Sequence, residues 1–132
     1  LRRAQCVATP DWSTWTDMPE ELQRWNVYRS AAIGAWWQSQ GMTVVPTLQW
    51  SDEASFSWCF KYIPKGCTVI VSAKGTQNDR ERKALFRSGM AEAIRQCEPA
   101  RVLLVGEADF DFGGVEVVRY PDSMARRFQD GR

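Results

Sequence analysis

Three short polar runs follow apolar, β-type segments in this chain, and their residue types suit a small anion. They are Trp50-Ser51-Asp52, Ser72-Ala73-Lys74-Gly75-Thr76 and Gly106-Glu107. Lys74 offers a positive charge, Gly75 lets backbone come close, and Ser51, Ser72 and Thr76 offer hydroxyls. Trp50 offers a flat ring for stacking. Ligands of open α/β sheets bind beyond the carboxyl ends of the strands, so parallel strands would bring the three runs to one edge. Helices starting near Asp52 and Asn78 would aim free amides at the same place. Against this, polar and glycine residues also occupy strand ends simply because chains turn there. Lys74-Gly75-Thr76 is not a P-loop, since the Gly-x-x-x-x-Gly-Lys spacing is absent.

Two other charge patterns invite chemistry. Glu107, Asp109 and Asp111 stand at i, i+2, i+4, so an extended segment would put three carboxylates on one face. Joined by Asp52 or Glu53 they could hold Mg²⁺ for nuclease-like phosphoryl chemistry, although an acidic turn ahead of Gly113-Gly114 needs no such role. Arg80, Arg82, Lys83 and Arg87 give a helix a basic start, with Arg126 and Arg127 further on. They would suit phosphate contacts, but Asp79, Glu81 and Glu92 interleave with them as on an ordinary solvated face. The chain has no histidine, which excludes Ser-His-Asp and Cys-His arrangements and His-ligated metals. No complete catalytic set is legible, and no cofactor or metal is assigned. Cys6, Cys59, Cys67 and Cys97 are spread out without a Cys-x-x-Cys pair and read as free thiols serving as small core residues.

The elements that would position these groups follow from periodicity. Leu22, Trp25, Tyr28, Ala32, Ile33 and Trp36 fall on one helical stripe, which predicts a helix over 18–40 with Trp25 and Trp36 in the core. Asp17 with Glu20 makes a capping box, and Gly41 supplies a stop. Residues 43–50 are β-branched and predict a strand, with Pro46 as the obstacle because it removes a ladder donor. A short helix is expected within 51–62 from Phe56 and Phe60 at i, i+4. Residues 67–72 and 101–106 are continuous apolar runs, as in strands buried on both faces of a parallel sheet. Between them Asn78 and Glu81 cap a helix whose face is Phe86, Met90, Ala93, Ile94 and Cys97. Residues 115–120 form a last strand. Trp12 and Trp15 lie in an irregular segment over 1–17, where aromatics outside a periodic face can mark a partner surface.

The expected class is therefore α/β: one domain over 1–132, with a small, mostly parallel sheet of about four strands and flanking helices, Rossmann-like or part-barrel-like. The tail over 122–132 is polar and expected to be mobile. A net charge of +1 provides no global field to draw nucleic acid. No run reaches the ~20 apolar residues that span a bilayer, and no signal peptide is legible, so a cytoplasmic location without membrane attachment is expected.

Several runs in order carry a family resemblance. They are Pro10-Asp11-Trp12-Ser13, Asn26-Val27-Tyr28-Arg29, Gly34-Ala35-Trp36-Trp37-Gln38, Val45-Pro46-Thr47, Trp50-Ser51-Asp52-Glu53-Ala54-Ser55-Phe56 and Ile63-Pro64-Lys65-Gly66. Through these the chain resembles the bacterial and phage family known as domain of unknown function four-four-one-seven. The resemblance runs over residues 9 to 106 and fades from Glu107. It implies a setting in phages, plasmids and integrated elements, and it assigns no activity. Three readings stand side by side: a domain binding a small phosphorylated or nucleotide-like ligand at its strand ends, a non-catalytic factor that captures a host or viral protein, and a Mg²⁺-dependent nuclease-like enzyme.

Overall fold

The computed structural model describes residues 6–12 and 14–121. In chain order the elements are β1 (Val7–Ala8), α1 (Glu20–Ser39), β2 (Val44–Val45), a 3-10 helix (Glu53–Ser57), β3 (Thr68–Ser72), α2 (Arg80–Cys97), β4 (Arg101–Val105) and β5 (Glu116–Tyr120). β1 pairs with β2, and β3, β4 and β5 form a second ladder in that order; every pairing is parallel. The two ladders are joined by a parallel bridge between Thr47 and Ile70. There the Leu48 N–H donates to the Ile70 carbonyl (2.8 Å) and the Ile70 N–H donates to the Pro46 carbonyl (2.9 Å). All the strands thus run one way and follow one another in chain order. With crossovers of the usual right hand, this order would place both helices on one face, as in part of a barrel.

Pro46 explains why the expected strand over 43–50 is broken. It has no N–H for a ladder. Regular pairing stops at Val45, and side chains complete the junction: the Thr47 N–H donates to Thr9 Oγ1 (2.8 Å) and the Thr47 hydroxyl donates to the Thr9 carbonyl (2.6 Å). β1 itself lies inside the segment expected to be irregular, and it was too short to show periodicity. The expected short helix is a five-residue 3-10 helix, in which the Ser55 hydroxyl donates to the Asp52 carbonyl (2.6 Å).

The core lies between the sheet and α2. Phe86, Met90, Ala93 and Cys97 of α2 pack with Val69 and Val71 of β3, Val102 and Leu104 of β4, and Leu48, Trp58, Cys59 and Phe60. Burial alternates along β3 and β4, so the opposite face is only half-buried. The expectation of strands buried on both faces is corrected accordingly. No helix joins β4 to β5; Phe110 and Phe112 pack edge to face at 4.8 Å and cover the sheet in its place.

α1 is turned over relative to its hydrophobic stripe. Its buried residues are Gln23, Asn26, Val27, Ser30 and Gly34, whereas Leu22 (50%), Trp25 (53%), Tyr28 (48%) and Trp36 (61%) are largely exposed. Close approach to β1 decides the orientation. A Cβ on Gly34 would lie 2.7 Å from Thr9 Cγ2. Ser30 donates to the Pro10 carbonyl (2.7 Å) and Gln23 to the Met18 carbonyl (2.8 Å). A small, donor-bearing face satisfies these carbonyls, which a tryptophan face would leave without partners. The helix starts after Pro19 with no side-chain cap, so the Asp17 capping box does not form. On α2 the cap is Asp79, which accepts from the Arg82 N–H (2.8 Å), and not Asn78.

A second close approach fixes the sheet end. The Trp50 indole lies against Gly89, where an added Cβ would meet it at 2.1 Å, and it packs on Phe60 and Phe86. Gly89→Ala is therefore expected to lower stability by about 1–3 kcal/mol, the usual cost of overpacking. Chemical denaturation is the measurement, and shortening the neighbour as well, in Gly89→Ala with Trp50→Leu, should cost less than the sum of the two single changes.

Candidate functional site

A cleft of about 890 Å³ opens at the carboxyl edge of the sheet. Of the residues expected there, Trp50, Ser51, Ser72, Lys74, Gly75 and Thr76 line it together. Asp52, Gly106 and Glu107 do not line it. Gly106 is engaged in the β4–β5 ladder through its N–H to the Tyr120 carbonyl (2.8 Å) and adopts a left-handed φ of 84°. Glu107 and Asp52 face solvent.

The β3–α2 loop supplies one wall. Thr76 closes it by donating its hydroxyl to the Ala73 carbonyl (2.6 Å), and Ser72 Oγ accepts from the Lys74 N–H (3.3 Å). Gly75 has φ 75°, a value that side-chain-bearing residues rarely adopt. Arg82 lies across the loop, 3.3 Å from Asp79 Oδ2. The Lys74 ammonium has no ion-pair partner among the described residues. The expected bare helix end is not present, because Asp79 caps α2 with its own carboxylate. The start of the 3-10 helix contributes nothing to the cleft either, since Asp52 and Glu53 lie outside it.

The facing wall was missed by reading the sequence. Asp11, Thr14, Trp15, Thr16 and Asp17 fold over the same edge. Thr14 donates its hydroxyl to the Trp50 carbonyl (3.0 Å), and the Pro10 carbonyl accepts from both Ser30 and Gln49 Nε2 (2.8 Å). The signal that could have found this wall is Val7-Ala8: once it is a strand, whatever follows it belongs at the carboxyl edge. Trp15 is 67% exposed and offers a free ring face. Trp50 does not, since its ring is wedged against Gly89 and forms the floor. Trp12 is half-buried under the Arg29 guanidinium, 3.8 Å from its ring centroid, so it is not a free partner surface.

The walls differ in charge. Asp11 and Asp17 stand on the N-terminal side, while the β3–α2 side carries both signs, in Lys74, Asp79, Glu81 and Arg82. Asp11 sits on the rim with one side walled by protein, and this desolvation pushes its carboxyl pKa above the ordinary 3.8. Folding then resists ionisation of Asp11, so its contribution to stability is intact in acid and falls as pH rises through the raised pKa. Asp11→Asn is expected to raise the thermal midpoint near neutral pH, with the gain vanishing below pH 3.8; midpoints measured across that range check it.

The other charged patterns are engaged elsewhere. Along 107–112, Glu107, Asp109 and Asp111 face outward while Ala108, Phe110 and Phe112 face the core. Asp109 pairs with Arg87 (2.6 Å), and Asp111 accepts from the Gly113 N–H (2.8 Å). Among the described residues no group of three or more His, Cys, Asp or Glu could hold a metal ion. Arg126 and Arg127 lie outside the described residues, as does the tail over 122–132.

None of the thiols lines the cleft. Cys59 and Cys97 are buried in the core, which pushes their pKa values up to about 12 and about 11; Cys6 is exposed. Alkylation of the native protein near pH 8 should label Cys6 first and reach Cys59 and Cys97 only on unfolding. Mass spectrometry of the labelled peptides reads this directly.

Fold and site together define an all-parallel α/β domain with a two-walled cleft at its carboxyl edge. The chain belongs to the family described as Domain of unknown function (DUF4417), whose model matches residues 1–120 and so extends past Glu107. It is 42% identical to the Gene 1 protein of Mycobacterium phage D29, over 96% of this chain and 49% of that protein. It is 40% identical to the Gene 1 protein of Mycobacterium phage L5, over 96% of this chain and 56% of that protein. The chain thus spans about half the length of these relatives. No solved structure matches it. Among the described residues no helix is long and apolar enough to cross a membrane.

Proposed function

We propose that this is a phage-associated domain, working in the bacterial cytoplasm, that binds a small nucleotide-like ligand in the carboxyl-edge cleft. The observation that carries this reading is the lining of one cleft of about 890 Å³ by Lys74, which has no ion-pair partner among the described residues, together with Asp11, Asp17 and Trp15. A cation suits a phosphate. Carboxylates accept from sugar hydroxyls, as acidic residues do at the edges of other parallel sheets. An exposed tryptophan stacks on a base of any kind. An inorganic anion alone would find more carboxylates than cations here, which favours a ligand carrying both hydroxyl donors and a phosphate. The reading is of binding, and it assigns no reaction to the cleft.

Calorimetric titration with the common nucleoside monophosphates and their parent nucleosides tests this. Lys74→Ala should weaken the monophosphate about tenfold or more and leave the nucleoside unchanged, while Trp15→Ala should weaken both about tenfold, the usual worth of one stacked base. If no nucleotide binds the native chain, and gentle native mass spectrometry shows nothing attached, the reading fails.

A further inference from the structure

The outward stripe of α1 has the spacing of a coiled-coil seam. Leu22, Trp25, Arg29, Ala32 and Trp36 are separated by three and four residues in alternation, which is the a/d pattern through which one helix packs along another. The buried face of the helix is Gln23, Asn26, Val27, Ser30 and Gly34. At about 100° per residue the seam is centred roughly 135° round the helix from that face, and Leu22, Trp25, Ala32 and Trp36 on it are exposed. Tyr28 extends the patch, stacked on Trp25 with ring centroids 5.7 Å apart, and Tyr62 adds to it in edge contact with Tyr28 at 6.0 Å.

From this we infer that α1 pairs with the α1 of a second copy of this chain, antiparallel about a two-fold axis near Arg29. The occupant follows from area and shape. Leu22, Trp25, Tyr28, Trp36 and Tyr62 are each between 41% and 61% exposed. A half-exposed aromatic side chain leaves on the order of 100 Å² open, given the 150–250 Å² such side chains bury. Four such residues with Leu22 give roughly 500 Å² per copy and about 1,000 Å² across two copies, the size at which specific interfaces begin. A two-fold axis near Arg29 sets bulk against small side chains, with Trp25 of one copy over Ala32 of the other and Leu22 beside Trp36. Arg29 itself is folded back over Trp12 and leaves the middle of the seam open. Glu20 and Glu21 at one end of the seam meet the neutral Gln38, Ser39 and Gln40 at the other, so no like charges meet at its ends. The interface is separate from the carboxyl-edge cleft, none of whose lining residues belongs to α1.

Sedimentation equilibrium of the full chain, from low micromolar to submillimolar concentration, is the test. The expected result is a monomer–dimer equilibrium whose Kd rises about tenfold or more in Trp25→Glu and in Trp36→Glu, as for an interface centred on aromatic anchors. Ala32→Arg adds bulk at an exposed position and removes no contact within the chain; it should give a folded monomer even if a tryptophan variant misfolds. A native chain that stays monomeric throughout the range overturns the inference and assigns the face to a different partner. A dimer that survives Ala32→Arg and both tryptophan variants overturns it as well, by placing the contact elsewhere.

Discussion

Pro46 has no hydrogen to donate, and it stands where the two ladders of the sheet join. Before it, Val44 and Val45 pair with β1. After it, Thr47 still bonds to Thr9 on the β1 side, while the Leu48 N–H turns to β3 and the Pro46 carbonyl, which can still accept, takes the Ile70 N–H. One segment thereby serves two neighbours, with Thr43, Val45 and Thr47 bonding on the β1 side and Pro46 and Leu48 on the β3 side. On the β1 side the Thr9–Thr47 pair adds two bonds through side chains, which holds β1 in place although it is only two residues long. Because β1 is held, the segment after it is delivered to the carboxyl edge.

That delivery gives the cleft its character. A loop between β3 and α2 is what every βαβ unit provides, and alone it would present Lys74 and a glycine turn to open solvent. The N-terminal segment adds a second wall with carboxylates and a tryptophan, pinned through the Pro10 carbonyl and Thr14. The floor is Trp50, set by a glycine notch in α2 and by Phe60 and Phe86. Floor and walls thus come from segments far apart in the chain, and their relative positions rest on the parallel order of the strands.

Much of this was legible in the sequence. The apolar runs over 67–72 and 101–106 marked β3 and β4, and the Phe86–Met90–Ala93–Cys97 period marked the core face of α2. The rule for carboxyl ends then placed six of the nine expected residues in one cleft. Other features were hidden for physical reasons. A two-residue strand carries no period. The stripe on α1 was real, but periodicity says only that a helix has two unlike faces; it does not say which face turns inward. Here the need of the Pro10 and Met18 carbonyls for donors, and the close approach of Gly34 to Thr9, reversed the usual choice. Gly106 and Glu107 were expected in the cleft because β4 ends there, but Gly106 is taken up by the ladder to β5.

The order of the strands has a consequence for how such a molecule can grow. Each parallel strand lies beside the one before it in the chain, so every unit is complete once its predecessor is in place. Among the described residues β5 has a neighbour on one side only, and its five residues include Glu116 and Arg119, charges that discourage casual edge pairing. A further unit added after β5 would continue the same progression without rewiring anything behind it. The architecture is additive, and a lineage built on it can lengthen by accretion at one edge while the cleft between the N-terminal segment and the β3–α2 loop stays as it was.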